Sequence, residues 1–132
     1  MHAPITALWT GLLGILMLVL AMRVVRTRIS EKVVFGDGGN AIMLQHIRVH
    51  ANFTEYVPMG LVLLLVLELN GTGATSLNVL GGSLFAARLL HAFGLSTSTG
   101  TTPGRFAGTV LTWLVLLAGC ALTLWVYFKP PA

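Results

Sequence analysis

From Ala3 to Met22 the chain carries no Asp, Glu, Lys, Arg or His. About 20 apolar residues suffice for a helix to cross the roughly 30 Å hydrocarbon core of a bilayer. A stretch of this kind restricts the chain to folds in which lipid covers at least one helix. We place the first span at residues 5–25, where threonines are the polar interruptions until Arg23, whose long stem can carry its charge to the headgroups. The leading Met-His-Ala-Pro has no Lys or Arg, and the cations follow the apolar stretch. This reverses the order of a secretory signal, so the span is expected to be retained.

The remainder of the sequence offers no soluble exterior. Charged residues make up 9% of the 132 positions and hydrophobic ones 55%, against about 25% charged in a soluble domain. Eight basic and four acidic residues give a net charge of +4. Half of those cations, Arg23, Arg26, Arg28 and Lys32, gather just after the first span. That is the positive-inside pattern of a membrane protein, not the footprint of nucleic-acid binding. The single Cys120 lies in an apolar run, has no disulfide partner, and reads as a small core residue.

Three further spans follow. Residues 26–40 read as a polar hinge broken by Gly36, Asp37, Gly38 and Gly39. Residues 41–69 form a long second helix that carries polar groups at one end and Pro58 near its middle, where a kink is expected. A turn at Asn70 and Gly71 leads to a third span at residues 76–95, in which Gly82 and Ala86 have the spacing that lets helices approach closely. A loop at residues 96–104 precedes a fourth span at 105–128, closed by Trp125, Tyr127, Lys129 and two prolines. The expected fold is all-α: an integral membrane four-helix bundle in one domain, up-down in topology, with both termini on one side. The cationic hinge then faces the cytoplasm and the termini face outward, against the single opposing charge of Lys129.

That topology brings distant polar residues to one depth. The second helix runs away from the hinge side with Arg48, His50, Asn52 and Glu55 in its first half. The third returns with Arg88 and His91, and Arg105 opens the fourth. Arg48, Asn52 and Glu55 share a helix face, and Arg88 and His91 are neighbours on another. Charges at such depth need partners or a wet cavity. Arginine forks suit a carboxylate and Glu55 suits an ammonium, which describes a ligand bearing both. The same residues also allow a simpler reading, in which Arg48–Glu55 and Arg88 with a carboxylate tie helices together. Glu68, near the other end of its helix, reads as an interfacial residue. His46 and His50 have the spacing of a zinc pair but no third ligand in evidence, so no metal is expected.

The run Arg48-Val-His-Ala-Asn52-Phe-Thr-Glu55-Tyr56-Val-Pro58 resembles the second-helix signature of the MAPEG family, membrane-associated proteins of eicosanoid and glutathione metabolism. The Gly-Asp-Gly-Gly hinge is similar to that of the small bacterial inner-membrane branch. Ala87-Arg88-Leu-Leu-His91 and Pro103-Gly-Arg105 resemble the third and fourth helices of microsomal glutathione transferases. The resemblance implies homotrimers in a bacterial inner membrane, with periplasmic termini and glutathione held between protomers toward the cytoplasm. Arg48, Asn52, Glu55 and Tyr56 would hold that ligand, with His50, Arg88 and His91 around them. Arg105 would stabilise its thiolate, and Arg26 or Arg23 would reach across from a neighbour. Eicosanoid-forming relatives carry two tyrosines where this chain has His91 and Leu95, so leukotriene synthesis is not expected. The implied activity is a glutathione-dependent transferase or peroxidase acting on small lipophilic electrophiles. The alternative is a non-catalytic ligand-binding or structural protein that keeps the fold.

Overall fold

The computed structural model describes residues 2–97, 100 and 102–128. Four helices make up nearly all of it: α1 Pro4–Glu31, α2 Ala41–Leu69, α3 Ala74–Thr97 and α4 Pro103–Phe128. Each is long and apolar enough to cross a membrane. They form an all-α up-down bundle in which the start of α1 and the end of α4 lie at the same end. Lys129 and the prolines after it lie outside the described residues.

The helices start and stop for local reasons. α1 passes through the first part of the expected hinge and ends only at Glu31, because residues 26–31 contain neither Gly nor Pro. Charge there marks the edge of the lipid, not the end of the helix. Lys32 stops it by adopting the left-handed conformation, φ 53°, and the Val33 N–H bonds back to the Arg28 carbonyl at 3.0 Å. Gly36, Gly38 and Gly39 then turn the chain with φ of 65°, 60° and 72°, values that favour glycine. Asn40 closes the hinge. Its Oδ1 accepts from Ile42 N at 2.9 Å and Met43 N at 3.0 Å, capping α2, while its Nδ2 donates to Glu31 Oε2 at 2.7 Å.

At the opposite end, Ala3 gives α1 no side-chain cap. Glu68 supplies one from α2: its carboxylate accepts from Ile5 N at 2.9 Å and Thr6 N at 2.7 Å. The residue read as interfacial therefore ties the start of α1 to the end of α2. Pro58 stands within α2, which continues on both sides of it.

The closest packing is between α3 and α4, and α2 touches all three other helices. Among the described residues α1 and α4 do not meet. The main core joins Leu13 and Leu20 of α1, Val49 and Phe53 of α2, Leu84 of α3 and Val115 of α4. Outside it the surface is that of a lipid-facing protein, with Ile15, Leu18, Leu117 and Trp125 all more than half exposed. α4 buries a single stripe, Gly108, Thr112, Val115 and Gly119. Cys120 falls one position beside this stripe and is exposed, so it is a surface residue and not the core residue expected of it. Gly82 lies against the Trp9 indole, which also fills the space beside Gly81, and Ala86 is exposed. The close approach of α3 is made elsewhere, by Ala87 and His91 against Gly108.

Candidate functional site

The N-terminal half of α2, the C-terminal half of α3 and the start of α4 meet at the hinge end of the bundle. Between them lies a cavity of about 210 Å³ lined by Ala41, Leu44, Gln45, Arg48, Asn52, His91, Leu95 and Arg105. Both charged side chains in this lining are arginines, and it contains no Asp or Glu among the described residues.

Each wall is held by a specific contact. Gln45 Nε2 donates to the Leu95 carbonyl at 2.6 Å, fixing α2 against the last turns of α3. Thr102 caps α4: its Oγ1 accepts from Arg105 N at 3.2 Å and donates to the Gly94 carbonyl at 2.9 Å. Pro103 follows in the first helical position, where its missing N–H costs nothing. This places Arg105 in the first turn of α4, with Nη1 3.5 Å from the Gly100 carbonyl. The N-terminal end of the helix dipole and the guanidinium both favour negative charge here.

Behind the cavity sits Arg88, 1% exposed. Its Nη2 donates to Asn52 Oδ1 at 2.8 Å and its Nη1 to Thr112 Oγ1 at 3.4 Å, while the Nε is buried without a partner. The Tyr56 ring lies under the guanidinium, 5.9 Å from Cζ to centroid. Arg88 thus fixes the Asn52 amide so that its oxygen is engaged. His91, 2% exposed, lines the cavity with its Nδ1 buried and unpartnered. α4 can pass this close because residue 108 is glycine. A Cβ there would stand 2.6 Å from both the Ala87 carbonyl and the His91 amide nitrogen.

Of the residues singled out from sequence, Arg48, Asn52, His91 and Arg105 share the cavity. Arg88 and Tyr56 support it from behind. Glu55 is exposed and His50 half-buried, and neither lines the cavity. His50 is two residues from Arg48, which at 3.6 residues per turn turns it to nearly the opposite side of α2. The two hinge arginines separate clearly. Arg23 is committed within its own chain, donating to Ser96 Oγ at 2.8 Å and contacting His46 Nε2 at 3.1 Å. His46 Nδ1 lies 2.7 Å from Thr27 Oγ1, which donates to the Arg23 carbonyl. Both ring nitrogens of His46 are thereby in use. Arg26 is exposed on α1 and does not line the cavity.

Residues 6–125 match the MAPEG family. The chain belongs to that family. Among its relatives is the inner membrane protein YecN of Escherichia coli strain K12, 34% identical over 121 residues that cover 92% of this chain and 91% of the relative. YecN of Escherichia coli O6:H1 matches to the same extent. The MAPEG match spans all four helices, so the cavity belongs to the part of the chain that carries the likeness.

Two members of this MAPEG site escape a reading based on charge. Gln45 lies three residues before Arg48 on the same face, and Thr112 lies seven after Arg105 on the buried stripe of α4. Helical spacing contains both signals. Neutral polar side chains in apolar runs simply draw little notice.

Proposed function

We propose that this protein is a glutathione-dependent transferase or peroxidase that acts on lipophilic electrophiles in a bacterial inner membrane. The observation that carries the proposal is the sign of the cavity. Arg48 and Arg105 line it, and Arg88 is buried behind it with neutral hydrogen-bond partners. The simpler reading, in which Arg88 is tied to a carboxylate, finds no hydrogen bond or close ion pair among the described residues, although the Glu55 carboxylate acts on Arg88 at longer range. A cavity so arranged favours an anionic ligand, and glutathione brings two carboxylates and an ionisable thiol. Exposed Glu55, on the same helix, would take its ammonium.

Arg105 would act on the thiol. A free cysteine thiol has a pKa near 8.5 and is only a few per cent ionised at pH 7. A guanidinium at the start of a helix favours the thiolate, and each unit of lowering corresponds to about 1.4 kcal/mol. In a transfer step the thiolate sulfur forms a bond to an electrophilic carbon, and the leaving group departs with that carbon's bonding pair. The electrophile would arrive from the bilayer.

The cavity of about 210 Å³ is smaller than the roughly 300–1,000 Å³ usual for small-molecule sites. This supports a site completed by a neighbouring protomer, in a homotrimer, with Arg26 as the neighbour's contribution. We orient the cationic hinge and the cavity toward the cytoplasm and the termini toward the periplasm. The test is calorimetric titration of the purified protein with glutathione beside an Arg48→Ala variant. Saturable binding that the variant loses is the expected result. Absence of binding to well-folded protein would reject the proposal.

A further inference from the structure

The end of α1 and the strand of chain that folds back from it form a second groove, about 430 Å³ in volume, lined by Val25, Arg28, Ile29, Lys32, Val33 and Val34. It shares no residue with the cavity above. Four of its side chains are aliphatic, two are cationic and none is acidic. Val34 is 96% exposed and the adjoining Phe35 94%.

The charges are arranged rather than scattered. Arg28 Nη1 donates to the Gly36 carbonyl at 2.9 Å and reaches that of Val33 at 3.5 Å, which holds the guanidinium beside the returning chain. Its remaining N–H groups have no hydrogen-bond partner among the described residues. The nearby acids are engaged elsewhere: Glu31 accepts from Asn40 Nδ2, and Asp37 Oδ1 accepts from Gly39 N. Depth supplies the next constraint. The 28 residues of α1 span about 42 Å, against roughly 30 Å of hydrocarbon. The charge-free stretch ends at Met22, so the last two turns of the helix rise to headgroup level.

The geometry points to a binding site for one anionic phospholipid, its phosphate between Arg28 and Lys32 and an acyl chain running from Ile29 past Val25 toward the bilayer core. A water-soluble anion would leave the aliphatic wall uncovered. A second copy of this chain docked across a twofold axis would oppose cations to cations; contact with a neighbour around a ring is an outcome of the test below. A zwitterionic lipid brings its own cation to the same place and gains less from the two basic residues.

Native mass spectrometry of the full-length protein decides this, with phosphatidylglycerol and phosphatidylcholine of identical acyl chains added in turn. Wild-type protein is expected to retain phosphatidylglycerol about thirtyfold better, the factor that two surface cations contribute toward an anionic lipid. Arg28→Gln combined with Lys32→Gln should bring the two lipids level, and Val25→Ser combined with Ile29→Ser should weaken both while keeping the preference. These variants are read only where their thermal melting matches wild type; the wild-type comparison needs no variant. Equal retention of the two lipids by wild-type protein overturns the proposal. So does a preference that survives loss of both cations. A change of oligomeric mass in the cation variant, with lipid retention unaltered, would assign the groove to a second copy instead.

Discussion

Removing a guanidinium from water costs several kcal/mol unless its surroundings restore the lost interactions, and Arg88 is restored only in part. Its partners Asn52 and Thr112 are neutral, and its Nε has none. An anionic ligand in the adjacent cavity would supply the missing charge, which makes two effects of Asn52→Asp run in opposite directions. The new carboxylate should raise the melting temperature of the ligand-free protein and weaken glutathione binding by at least about tenfold, since like charges at close range cost a kcal/mol or more. Melting and calorimetry on one preparation test both. A variant that binds glutathione as tightly as wild type would remove the charge argument. Thr112→Val leaves Arg88 Nη1 unpaired and should lower stability by about 1–3 kcal/mol. Arg105 differs from Thr112, because its place is at the cavity lining and not behind it. Arg105→Ala should reduce turnover of a lipophilic electrophile by about tenfold or more while glutathione binding falls less, each unit of thiol pKa being worth a factor of ten. Equal losses in both would mean that Arg105 binds the ligand without activating it.

Helix ends and helix contacts have different visibility in the sequence, and the two outermost helices show why. α4 depends on Gly108, where any side chain would meet the backbone of α3 at Ala87 and His91. Backbone cannot swing aside as a rotamer does, so Gly108→Val should cost at least about 1–3 kcal/mol and disturb His91 as well. It is expected to give protein that melts early and binds no glutathione. α1 depends on Glu68, whose carboxylate replaces the cap that Ala3 lacks. Glu68→Ala should cost about 0.5–2 kcal/mol, with faster hydrogen exchange confined to the first turn of α1; protection unchanged there would deny the cap its role. Four helices and the convergence of Arg48, Asn52, His91 and Arg105 are legible in the sequence, because apolar runs and alternating direction dictate both. The end of α1 is less so: Arg26 and Arg28 mark where lipid stops, while the helix continues to Glu31 for want of a breaker. The work of Glu68 is illegible, since its partners lie 63 and 62 residues away. Cys120 misleads because an apolar run inside a membrane does not reveal which side of it faces lipid.

In the whole molecule, α1 and α4 stand apart on a bundle whose polar cavity is small and whose exposed Arg26 does not line it. If the site is shared, Arg26 of one chain serves the cavity of the next, and the two residues can be separated genetically. Chains carrying Arg26→Ala should bind no glutathione as a pure population, and neither should chains carrying Arg48→Ala. Co-expressed in equal amounts and assembled at random around a ring, they bring an unaltered Arg26 against an unaltered Arg48 at about one interface in four. Calorimetry of the mixture should then recover about a quarter of the wild-type binding capacity, at wild-type affinity. A site contained within one protomer predicts no recovery, because every chain in the mixture is defective. Recovery to a quarter would establish together that the protein is an oligomer, that its site lies between subunits, and that the first helix supplies part of it.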